Sequence, residues 1–163
     1  MAKPIKDSIR GGHCFINKRH VVIPEGCTDE NLLYTDANNL YSVAQSEPVP
    51  VGDFEWCSPK VIEQLENNLG TIHPHNKTGF ILCVDLEYPT NLHDAHSSFP
   101  LAPHQHNICF ADLSPYSQDA MTCLRGEKEA HKYSATKLCS SFLPRKNYVV
   151  HFQNLQLYLK LGS

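Results

Sequence analysis

Asp36 stands where an apolar run gives way to amide-rich sequence, in 32-LLYTDANNLYSVAQ-45. Its type and place allow two chemistries. Asp36 or Asn38 could accept hydrogen bonds from the orphan N–H groups at a helix start, a position these residue types favour. A carboxylate held at a strand end is also a ligand for magnesium, which takes oxygen donors and serves phosphoryl transfer. Other candidates are weaker. The ten histidines include 73-HPH-75, 93-HDAH-96 and 104-HQH-106. They fall in Pro-rich stretches, without the helical H-E-x-x-H spacing or the C-x-x-C partner that zinc sites use. Asp85 and Glu87 share one face of an expected strand and could hold a cation, although a solvated strand face explains the same alternation. There is no Gly-rich phosphate loop, nucleophile elbow or Cys/His catalytic signature.

The elements that must position these groups are legible in part. Asn31 to Asp36 reads as a strand, and Leu40 to Ser46 as a short helix stopped by Pro48. Pro59 to Leu69 reads as a helix: Ser58 can cap it, Pro59 suits the first position, Val61, Ile62 and Leu65 recur at helical spacing, and Gly70 ends it. In 79-GFILCVDLEY-88 the apolar residues alternate with Cys83, Asp85 and Glu87, which predicts a strand with one wet face. A loop is expected over 89–107 and a short helix from Ser114-Pro115. Residues 136–152 suggest a hairpin with a Pro-Arg-Lys-Asn turn. The segment 154–162 is amphipathic and ends in Gly162, a helix C′ residue. Residues 13–17 suggest one short strand.

Composition bounds the class. At 163 residues, 41% hydrophobic and 19% charged, the chain suits one globular domain of mixed α+β type. Without an apolar run of roughly 20 residues or a signal-peptide core, the expectation is an intracellular protein, nuclear or cytoplasmic, that is not secreted and has no membrane partner. Seven scattered cysteines predict reduced, mostly buried thiols rather than a disulfide framework. The net charge of −3 hides an asymmetry. Residues 1–20 carry five cations against Asp7, a balance of +4, and residues 125–146 carry six against Glu127 and Glu129, again +4. Between them, residues 25–119 hold fourteen acids against Lys60 and Lys77, a balance of −12. Two basic ends around an acidic middle are compatible with gripping a polyanion, and equally with ordinary solvated charge.

Asp36-Ala37-Asn38-Asn39-Leu40-Tyr41 resembles the first catalytic motif of family B DNA polymerases, D-x-x-S-L-Y-P. Ile9-Arg10-Gly11-Gly12 resembles the Y-x-G-G motif that precedes it in the protein-primed branch, and the interval between the two fits that branch. The stretches 48-PVPVGDFEW-56, 78-TGFILCVDLEYPTNLHDAHSSFPLAP-103 and 147-NYVVHFQNLQLYLKLG-162 are similar to polymerase-like proteins of viral and self-synthesising mobile elements of animals. The resemblance spans nearly the whole chain. Ile9 replaces the tyrosine of the family motif, Asn39 its serine, and Ser42 its proline. The K-x-x-x-N-S-x-Y-G and Y-x-D-T-D-S motifs are absent, as are exonuclease carboxylates.

The resemblance implies a fragment of a protein-primed, DNA-directed DNA polymerase, inactive alone. Its fold would be α+β, a partial palm with an inserted mixed α/β subdomain of mainly antiparallel sheet. Residues 1–30 would be a linker carrying the R-G-G motif, and 31–56 the palm element with the first motif. Residues 57–153 would be the insertion that helps hold priming protein and duplex, and 154–163 a truncated helix. Asp36 would be catalytic and a ligand in a two-magnesium site, only partly present in this chain, with ions about 3.5–4 Å apart. Asn39 and Leu40 would offer backbone N–H groups to the nucleotide phosphates, and Tyr41 would lie beneath the sugar as a gate against a 2′-hydroxyl. Arg10, Gly11 and Gly12 would contact DNA. The implied partners are DNA template and primer, deoxynucleoside triphosphates and a terminal priming protein. The alternative is a degenerate, non-catalytic nucleic-acid-binding remnant; a third reading is a histidine-rich metal-binding protein.

Overall fold

The computed structural model describes residues 5–6, 8–11, 13–14, 16, 20–26 and 33–162. Among them, strands β1 (Ile81–Leu86), β2 (His104–Cys109), β3 (Ser134–Cys139) and β4 (Arg145–His151) form two separate antiparallel pairs, β1 with β4 and β2 with β3. The helices are α1 (Leu40–Ser46), α2 (Pro59–Asn68), α3 (Pro115–Arg125), α4 (Glu127–Ala130) and α5 (Phe152–Lys160), joined by 3-10 turns at Leu69–Thr71, Thr90–Leu92 and Phe110–Asp112. This is an α+β arrangement with small antiparallel sheets. No helix of the described residues is long and apolar enough to cross a membrane.

The core grows from the alternation in β1. Leu82, Val84 and Leu86 turn inward while Ile81, Cys83 and Asp85 stay exposed. Opposite them, Tyr148 and Val150 of β4 are buried, and β4 runs directly into α5, whose Leu155 joins the same cluster with Ala102. Leu69 and Tyr158 pack against it. Phe152, at the junction of β4 and α5, is 2% exposed and meets Phe80 edge to face at 6.2 Å. Gln156 fastens α5 to the turn after α2, its Nε2 donating to the carbonyls of Leu69 and Ile72. Gly162 follows the helix with φ 94°, the left-handed conformation a C′ glycine supplies without a Cβ penalty.

The second sheet is tied to the first through side chains. Tyr148 Oη donates to the Pro103 carbonyl at 3.1 Å, and Arg145 Nε to the Ala102 carbonyl at 3.1 Å. Behind β2, α3 opens on Ser114, whose hydroxyl accepts the Ser117 N–H, with Pro115 in the first turn. Gln118 Nε2 then donates back to the carbonyls of Phe110 and Leu113.

Several sequence expectations are corrected. The proposed hairpin over 136–152 does not form: both strands exist, but each pairs elsewhere. Asn147, the turn residue of that reading, does adopt left-handed backbone, at φ 52°, but it serves a bulge. Lys146 and Asn147 together oppose Asp85, and the register shifts between Val84 and Leu86. The expected loop over 89–107 contains most of β2, whose polar His-Gln-His-Asn sequence carries no apolar alternation. Residues 33–36 are not strand, and Asn31 and Leu32 lie outside the described residues. The strand expected over 13–17 is not seen at residues 13, 14 and 16, and 15 and 17 lie outside the described residues. The described cysteines are free but not buried: Cys14, Cys57, Cys83, Cys109 and Cys123 are exposed and Cys139 is half-buried.

Asp85 is a structural carboxylate. Its Oδ1 accepts the Asn147 N–H at 2.8 Å and its Oδ2 the Lys146 ammonium at 3.1 Å, which closes the bulge and occupies both oxygens. The backbone N–H first, and Lys146 second, hold its carboxyl below the usual carboxylate range. A depressed native value stabilises the fold above the unfolded pKa of about 3.9, and that contribution is lost as pH falls through the native value. Asp85→Ala is therefore expected to lower Tm by a few degrees at neutral pH. Thermal melts at stepwise lower pH should show the gap from the parent closing in acid. A gap that persists undiminished there would assign it to packing instead.

Candidate functional site

Asp36 lies on an exposed, irregular segment, and the chain turns at Asn38-Asn39 before α1 begins at Leu40. Asn39 is the N-cap residue, in left-handed conformation at φ 57° and ψ 43°, and it makes no side-chain cap. Its carbonyl accepts the Ser42 and Val43 N–H groups at 3.1 and 3.2 Å. The capping role considered for Asp36 or Asn38 is therefore not the arrangement found: the backbone of Asn39 opens the helix. At the other end Ser46 Oγ donates to the Val43 carbonyl, and Pro48 follows an extended Glu47. Leu40 and Tyr41 occupy the first turn, 63% and 82% exposed.

The whole of residues 33–60 is exposed. Leu33, Tyr34, Val43, Val49, Val51, Phe54 and Trp56 all show more than half of their surface. The molecule as a whole exposes 13166 Å², against about 8,200 Å² for a compact monomer of 18.4 kDa by the size scaling of folded proteins.

The fit of a magnesium pair can be judged from the donors. Asp36 supplies one carboxylate, and among the described residues no group of three His, Cys, Asp or Glu side chains converges as a metal site would require. Magnesium needs near-octahedral oxygen coordination, so the described residues do not build that site. Two of the three histidine clusters have structural partners instead. His93 stacks on Phe142 with centroids 4.3 Å apart, His96 Nδ1 is hydrogen-bonded to Tyr88 Oη, and His73 Nδ1 accepts the His75 N–H within a turn.

Arg10 is placed against β4. Its guanidinium carbon sits 3.8 Å from the centroid of the Tyr148 ring, and Nη1 donates to the Val149 carbonyl at 3.0 Å. Gly11 is exposed with open space around it, and Gly12 lies outside the described residues. The contacts Arg10 makes are with β4 and not with Asp36.

What the structure does bring together is a basic cleft of about 240 Å³ between β2 and β4, lined by Arg10, His104, Arg145, Lys146, Asn147 and Tyr148. Arg145 is 5% exposed and bonded wholly to protein oxygens: Nε to Ala102 O, Nη1 to Leu143 O, and Nη2 to both Ser141 O and Ser141 Oγ. Burial pushes its guanidinium pKa down, with partial relief from Tyr148 and Tyr88. His104 Nδ1 is enclosed and has no hydrogen-bond partner among the described residues. Burial, then the Arg145 charge, holds the His104 imidazole below its ordinary value. The sequence reading missed this cleft because its members come from three separate stretches. The one available signal, Arg145-Lys146 beside Asn147, was absorbed by the hairpin reading.

Comparison of the chain with protein-family models, with curated proteins and with solved structures finds no match in any of the three.

Proposed function

We propose that the chain is part of a protein-primed DNA-directed DNA polymerase of family B, carrying the first palm motif and the insertion after it, and inactive by itself. The observation that carries this reading is the coincidence of motif and exposure. The helix begins at Leu40, four residues after Asp36, as the D-x-x-S-L-Y-P resemblance implies. The apolar side chains of 33–56 find no core among the described residues. Large exposed apolar surfaces mark contacts with other protein, and a palm element separated from its other strands would look like this. In the completed enzyme Asp36 acts in catalysis, Asn39, Leu40 and Tyr41 meet the nucleotide, and Arg10, Gly11 and Gly12 approach DNA. The partners are template and primer, deoxynucleoside triphosphates and a terminal protein.

Co-expression of the chain with the palm sequence bearing the two missing motifs, taken from the same gene, tests the proposal. Template-directed incorporation of deoxynucleotides is expected from the pair and from neither part alone. A coding sequence around this chain with no Y-x-D-T-D-S motif would remove the basis for the reading.

A further inference from the structure

We infer that the cleft between β2 and β4 is a binding site for a phosphate group, held by Arg10 and Lys146 beside His104 and within the field of Arg145. The inference does not rest on the polymerase reading, since it starts from charge and donor accounting in a part of the fold remote in sequence from Asp36. Three permanent cations line the cleft, and no carboxylate does. Asp85 reaches Lys146 from the bulge through a single Oδ2 contact at 3.1 Å. An ammonium has three N–H groups, so Lys146 keeps donors for another acceptor.

The other cations divide the work. Arg145 directs four of its five N–H donors to the carbonyls of Ala102, Ser141 and Leu143 and to the Ser141 hydroxyl. Its main contribution is charge, with no ion-pair partner among the described residues, in a desolvated place where a charge without a counterion is costly. Arg10 is held over Tyr148 with one N–H bond to Val149 O, which positions its fork while leaving further donors. A fixed guanidinium fork matches the oxygens of a phosphate. His104 lines the same cleft, with its Nδ1 enclosed. A tetrahedral phosphate answers both features at once: it neutralises Arg145 and accepts from Arg10 and Lys146.

The test is a titration of the isotopically labelled full chain with inorganic phosphate at constant ionic strength, set by chloride, and followed by NMR. Saturable shifts at the Arg10 guanidinium and the His104 ring are expected, with none on adding chloride alone. Lys146→Gln and Arg10→Gln should each weaken binding about tenfold or more, the scale of one charge-assisted hydrogen bond. Lys132→Gln, at an exposed pair with Glu129, should leave it unchanged. A second arm uses a short single-stranded oligonucleotide. Its displacement by inorganic phosphate would assign the group to a nucleic-acid backbone, and binding of free phosphate alone would assign it to a small ligand. Lys146 is exposed, so its variant decides the matter even if Arg10→Gln unfolds. The inference is overturned if neither probe gives saturable shifts, or if a folded Lys146→Gln protein binds both as the parent does.

Discussion

Replacing Arg145 with methionine is expected to destabilise the chain by about 1–3 kcal/mol, the cost of leaving a buried acceptor without its donor. Methionine fills much of the volume, so the loss is one of hydrogen bonds. The carbonyls of Ala102, Ser141 and Leu143 all accept from this guanidinium, and of these three residues Ala102 is buried whereas Leu143 is exposed to solvent. Those carbonyls belong to the segments that precede β2 and β4, so the same residue holds the two sheets in their relation. Lysine should rescue little, because one ammonium replaces a planar fork that reaches several acceptors at once. Against a total stability of about 5–15 kcal/mol for a native domain, the methionine variant is expected to fold with a clearly lowered denaturation midpoint. Urea denaturation followed by circular dichroism measures the loss. A change under about 1 kcal/mol would show that the carbonyls find solvent and that Arg145 is no anchor.

The fold was legible where local patterns and tertiary context agree. The helix from Pro59, the helix opened by Ser114-Pro115 and the alternating strand through Leu82, Val84 and Leu86 were all visible, because caps, prolines and period are local signals. So were α1 and its stop before Pro48. Pairing was not legible. The strands around Leu138 and Val149 follow one another like a hairpin, yet Tyr148 and Val150 belong on the inner face of β1, and Arg145 bends the connection into the carbonyls between the strands. β2 hid because its pattern, His104-Gln105-His106-Asn107, is polar on both faces, as suits an edge strand in a two-stranded sheet. Of the candidate site, the helix at Leu40 was legible; its strand was not found in the described residues, and the basic cleft had no contiguous signal. The anchoring of Arg10 on Tyr148 also lay beyond sequence reasoning, since it joins residues 138 positions apart.

Asp36→Asn in the polymerase reassembled from this chain and its missing palm sequence tests the central claim most directly. The substitution keeps the shape of the side chain and removes its charge. Asp36 is exposed, and no side-chain cap forms at α1, so the fold should not respond: exposed substitutions of this kind stay within about 0.5 kcal/mol. A purely structural aspartate at this position would likewise leave activity untouched. If Asp36 acts in nucleotidyl transfer, nucleotide incorporation should fall by at least about a hundredfold, the scale on which a single charged or polar contact to a transition state is lost, with the circular dichroism spectrum and melting temperature unaltered. Full incorporation by a correctly folded Asp36→Asn enzyme would contradict the assignment of Asp36 as the catalytic carboxylate, and with it the polymerase reading of the chain.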